Sequence, residues 1–94
     1  MNYYALIYHL ADDYMERRPQ FREEHLGMAK ELNAKGQLLL GGAFSDPPDT
    51  ALLVFKVDDK SIVEDFVSKD PYVKNGLVKK WEIRNWTVVI GKEE

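Results

Sequence analysis

Apolar residues in this chain alternate between two periods. Tyr3-Tyr4-Ala5-Leu6-Ile7-Tyr8-His9-Leu10 is almost unbroken aromatic and branched sequence, which predicts a strand over 3–10 with two apolar faces. Further on, Phe21, His25, Met28 and Leu32 fall on a narrow arc of a helical wheel, with Arg22 and Ala29 on its flank. Asp12-Asp13 supplies a turn and Tyr14 to Arg18 a short helical turn. Pro19 then fits the first position of the main helix, where a missing N–H costs nothing, and Gly36 stops that helix after Lys35. Strands are expected over 37–45 and 50–57, joined as a hairpin through Asp46-Pro47-Pro48-Asp49, with Gly41-Gly42 marking a bulge or a close approach. Asp58-Asp59 caps a second helix whose apolar positions are Ile62, Val63, Phe66 and Val67; it ends at Lys69 because Pro71 holds Asp70 out of the helical region. One more turn, Pro71 to Asn75, closes at Gly76, and a last strand runs from Lys80 to Ile90.

The order β-α-β-β-α-β predicts an α+β fold of the ferredoxin-like kind, an antiparallel four-stranded sheet with both helices on one face. Such a sheet normally alternates apolar with polar residues, since its other face meets water. Here Tyr3, Ala5 and Ile7 alternate with Tyr4, Leu6 and Tyr8, and Leu52 and Val54 with Leu53 and Phe55. In the last strand Trp81 and Ile83 oppose Trp86, Val88 and Ile90. The second face therefore needs a cover, and a second copy of the chain is the simplest one. The expected assembly is a homodimer with its sheets face to face, a dimeric α+β barrel.

At 94 residues the chain makes one domain with a modest core. A net charge of −3, with only Lys79-Lys80 beside Trp81 as a basic cluster, argues against nucleic acid as partner. Without cysteine there is no thiolate nucleophile, disulfide or zinc–thiolate site, and no apolar run is long enough for a membrane span. No cleaved signal is recognisable, so a cytoplasmic protein is expected.

Topology adds what spacing alone does not. With the first strand running up, the start of the first helix, the end of the second strand and the end of the second helix share one end of the domain. His25 with Arg22, Ser45 with Asp46, and Asp70 with Tyr72 are delivered there. Each has an ordinary explanation: His25 as a core residue with backbone partners, Asp70 as the N-cap of a turn, Ser45-Asp46 as turn chemistry, Arg22 as the partner of a neighbouring glutamate. Together they also fit a general base, because a carboxylate bonded to one imidazole nitrogen fixes the tautomer and raises the basicity of the other. His9, at the end of the first strand, reads as a surface or interface residue.

Arg22-x-x-His25-Leu26, then Gly36 leading to Gly41-Gly42-Ala43-Phe44-Ser45-Asp46, then Asp70-Pro71-Tyr72 with Gly76-Leu77, and finally Trp86, together resemble the YciI-like (YCII-related) family over nearly the whole chain. The resemblance implies a ferredoxin-like fold, a dimer of the α+β barrel kind, and an active site with a His and an Asp, carried here onto His25 and Asp70. Many relatives have Gly-Pro where this chain has Gly42-Ala43, a departure that bears on the wall near Ser45 and on the substrate.

The leading expectation is a small enzyme without cofactor or bound metal. His25 serves as general base oriented by Asp70, and Arg22, Ser45 and Tyr72 bind a small, hydroxylated or aromatic molecule that undergoes elimination or isomerisation. A ligand-binding or regulatory dimer without turnover, and a cofactorless oxygenase, are the alternatives.

Overall fold

The structure, a computed structural model, describes residues 1–91. Its elements are β1 (Asn2–Leu10), α1 (Tyr14–Ala34), β2 (Leu38–Ala43), β3 (Thr50–Val57), α2 (Lys60–Lys69), α3 (Pro71–Lys74) and β4 (Val78–Trp86). The four strands form one sheet in the order β2-β3-β1-β4, each neighbour antiparallel to the next. Among the described residues no helix is long and apolar enough to cross a membrane.

Register decides which strand residues share a face. Leu6 stands opposite Leu53 on one side and Ile83 on the other, and Tyr8 opposite Ala51 and Trp81. Tyr4, Leu6, Tyr8, Leu53 and Phe55 face the helices and form the core with Val63, Phe66 and Val67 of α2. From α1, Phe21, Met28, Ala29 and Leu32 pack against this core, as their helical spacing predicts. The other face carries Tyr3, Ala5, Ile7, Leu40, Leu52, Val54 and Trp86, interspersed with Glu82 and Arg84, and no element of residues 1–91 covers it.

Several boundaries differ from the sequence expectation, among them the start of β4, which lies at Val78 rather than Lys80. Pro19 does not begin the main helix: α1 starts at Tyr14, so the short turn and the helix are one element with Pro19 inside it. The first ladder bond, from Arg17 N to Asp13 O, forms upstream of the proline, whose ring leaves only the Met15 carbonyl without its usual donor. β4 ends at Trp86 rather than Ile90, because Trp86 pairs with Tyr3 near the start of β1 and beyond that rung it has no strand opposite it. The irregularity in β2 falls between Leu38 and Leu40 rather than at the glycine pair, and β2 itself covers Leu38–Ala43 rather than 37–45.

Candidate functional site

A cavity of about 530 Å³ opens between α1, the β2–β3 hairpin and α3. One wall is a row along α1 at steps of one helical turn, Tyr14, Arg18, Arg22, Leu26, Ala29 and Asn33. The opposite wall is Leu38 to Ala43 of β2, where Gly41 backs onto Leu53; a Cβ there would lie 3.3 Å from Leu53 Cγ. Tyr8, His25 and Tyr72 close the inner end.

Asp70 is the hub of that end and has no exposed surface. Its position follows from local chemistry. Pro71 keeps Asp70 extended, at φ −68° and ψ 121°, and the Asp70 side chain caps α3 by accepting from Tyr72 N at 3.0 Å. The same oxygen, Oδ1, lies 2.8 Å from His25 Nδ1, and Oδ2 accepts a hydrogen bond of 2.7 Å from the Tyr8 hydroxyl. A carboxylate only accepts, so in the neutral ring the proton resides on Nδ1 and Nε2 keeps its lone pair. The ring is fixed in plane as well. It stacks on Tyr72 with centroids 3.9 Å apart and planes within 9°, and the Phe66 ring approaches at 6.2 Å. His25 is thus both a packed residue and a wall of the cavity, where the sequence presented these as alternatives.

Burial, the charge of Asp70 and the hydrogen bond to it hold the Tyr8 phenol above its ordinary value of 10.0, so Tyr8 is a permanent donor at neutral pH. Burial likewise pushes the Tyr72 phenol up to about 12, Tyr14 adds to the rise, and Arg18 and Arg22 pull the other way.

Of the residues singled out in the sequence, His25 and Asp70 are in contact, and Arg22 and Tyr72 line the same cavity. Ser45 is exposed in the turn two residues beyond Ala43 and does not line it. Arg22 makes no ion pair with Glu23 or Glu24, and His9 lies at the sheet, its Nε2 3.8 Å from a Glu82 oxygen. Sequence reasoning missed Tyr8, Tyr14, Arg18 and Lys30. The available signal was the i, i+4, i+8 row Tyr14-Arg18-Arg22, which emerges only once α1 is read as starting at Tyr14. Among the described residues no three His, Asp or Glu side chains converge as metal ligands would.

No curated protein matches the chain. Among solved structures it is similar to 5-chloro-2-hydroxyhydroquinone dehydrochlorinase (TftG) from Burkholderia phenoliruptrix AC1100 in complex with 2,5-dihydroxybenzoquinone. The TM-score is 0.77 at 18% identity, over 90% of this chain and 93% of that one. That likeness is one of fold. The family model for the YCII-related domain matches residues 1–87, and the chain belongs to that family.

Proposed function

We propose that the protein is a small-molecule enzyme in which His25 is the general base and Asp70 its orienting partner. The observation that carries this is the 2.8 Å contact between His25 Nδ1 and Asp70 Oδ1 at the wall of a ligand-sized cavity. Nε2 takes a proton from a small hydroxylated ring, and a leaving group departs with its electron pair from the same molecule. A step that moves only a proton and a leaving group calls for no redox cofactor. The name of the dehydrochlorinase of like fold supports elimination over isomerisation and an aromatic substrate over an aliphatic one. Tyr72 offers its ring as a stacking wall and Arg22 a charge at the rim, while Ser45 belongs to the turn beyond the cavity. The same reading takes the uncovered sheet face as the dimer interface, two ferredoxin-like protomers closing into an α+β barrel.

The test is chloride release from 5-chloro-2-hydroxyhydroquinone by wild type and His25→Asn, in which one chloride and one proton leave per hydroxyquinone formed. Turnover by wild type and a fall of roughly 10²- to 10⁴-fold in the variant are expected. Equal rates in the two proteins would remove the general base, and no turnover by wild type would remove elimination on this substrate.

A further inference from the structure

We infer that Arg18, with Arg22 one turn further along α1, receives an anionic oxygen group of the ligand, so that the cavity selects small organic anions such as carboxylates or ionised hydroxyquinones over neutral rings of the same shape. The inference rests on the reading of this cavity as a ligand site and names the class it takes.

The chain as a whole is acidic, with a net charge of −3, yet the cavity is lined by Arg18, Arg22 and Lys30 and by no Asp or Glu. Three cations line the cavity against one carboxylate, Asp70, which is sealed behind His25 and Tyr8, and this excess concentrates anionic ligands. Arg18 is the distinctive one. Its neighbour Arg17 is fully employed, bonding the Asn75 carbonyl and pairing with Asp13. Arg18 Nε, by contrast, is buried without a hydrogen-bond partner, and neither Arg18 nor Arg22 forms an ion pair among the described residues. A buried donor without an acceptor is unfavourable on its own, so the Arg18 side chain is not fully satisfied by its own chain. An oxygen anion at the guanidinium end that lines the cavity supplies the countercharge it lacks.

The geometry suits a planar acceptor. The Arg18 guanidinium is held 5.8 Å from the Tyr14 ring centroid, which restricts its orientation, and both arginines act on the Tyr72 phenol beside His25. A ring oxygen bound by this pair would carry the charge that develops as His25 Nε2 removes a proton, and the arginines would be in place before it forms.

Benzoate and benzamide make a matched pair of probes, alike in shape and different in charge. In NMR titrations, wild type is expected to bind benzoate about tenfold or more tightly than benzamide, with the ring signals of His25 and Tyr72 shifting, and Arg18→Gln to reduce that preference to about threefold or less. Thermal melts establish that the variant is folded. A second measurement needs no variant: benzoate is expected to protect Arg18 from phenylglyoxal in wild type, read by mass spectrometry, and benzamide is not. Equal binding of the two probes by wild type would overturn the anion assignment while leaving the ligand site standing. Binding of neither at about 10 mM would overturn both. Arg18→Gln keeping the full preference, or benzoate giving Arg18 no protection, would remove Arg18 from the role. A failure of the general base shows elsewhere, as unchanged turnover in His25→Asn with benzoate preference intact.

Discussion

A carboxylate withdrawn from water is tolerated only when its oxygens are occupied, and Asp70 has three donors: the Tyr8 hydroxyl, the Tyr72 amide and His25 Nδ1. Asp70→Asn that keeps the Oδ1 oxygen still accepts from Tyr72 N and from His25 Nδ1, but it loses the charge and places an amide donor where Oδ2 accepted from the Tyr8 hydroxyl. Unfolding in urea is expected to show a loss of about 1 to 3 kcal/mol, where a role in the turn alone predicts none. Tyr8→Phe preserves the packing and strips Oδ2 of its donor, with an expected loss of roughly 1.5 to 3 kcal/mol. It also has a pH signature. The Tyr8 phenol is raised in the folded state, so below pH 10 both states hold the proton and stability is flat; above 10 the unfolded chain releases it first, and stability falls as pH rises. Tyr72 adds to the same fall up to about pH 12, and Tyr8→Phe is expected to make the decline shallower than in wild type. An identical slope in both proteins would show that the buried Tyr8 phenol contributes no such linkage. His25 was legible because a lone imidazole interrupts an apolar stripe, and Asp70 because a proline follows it. Tyr8 was not, since it lies in a run of strand aromatics and its partner is 62 residues away.

Helix α1 shows how one residue misplaces an element's start. Proline is favoured in a first helical turn, so the sequence predicts that turn at Pro19 and sets the helix-compatible stretch before it, Tyr14 to Arg18, apart as a separate piece. What overrides the rule is tertiary: Tyr14 is buried in the core with its ring edge-on to Tyr72 at 5.8 Å, which anchors a turn upstream of the proline. The same error hid Arg18 from the site, because the row to which it belongs crosses Pro19. Pro19→Ala restores a donor for the Met15 carbonyl, against which the unfolded chain gains about 0.4 to 1 kcal/mol of conformational freedom. The ladder bond and relief of the ring are the larger effect, so the variant is expected to be more stable by roughly 1 to 2 kcal/mol, seen as a higher urea midpoint with an unchanged slope. A lower midpoint would mean that the helix already bends around Pro19 without strain. The strand ends teach a related lesson: Val88 and Ile90 look like strand residues, but a strand needs an opposite rung, and pairing length is not written in one segment.

For the whole molecule, the two-faced strands that suggested a second sheet remain the main unsatisfied feature. The order of elements along the chain and the helix-covered face were legible because both follow from apolar spacing within segments; what covers the other face depends on a surface that one chain does not contain. Ile7 and Leu52 are adjacent on the central strands of that face, with Leu40 71% exposed at one edge and Trp86 44% exposed at the other. An apolar band of this kind rimmed by Glu82 and Arg84 has the composition of an interface. Sedimentation at micromolar concentration is therefore expected to give about twice the chain mass of 10.9 kDa. Ile7→Asp separates this from a folding effect. Ile7 is only half-buried in one chain, so a single protomer can hydrate the new carboxylate, whereas in a face-to-face pair it would be sealed beside Glu82 at a cost of several kcal/mol. The variant is expected to sediment as a folded monomer with native circular dichroism. A wild type of 10.9 kDa at the same concentration, or an Ile7→Asp protein still at twice that mass, would exclude this face as the contact between copies.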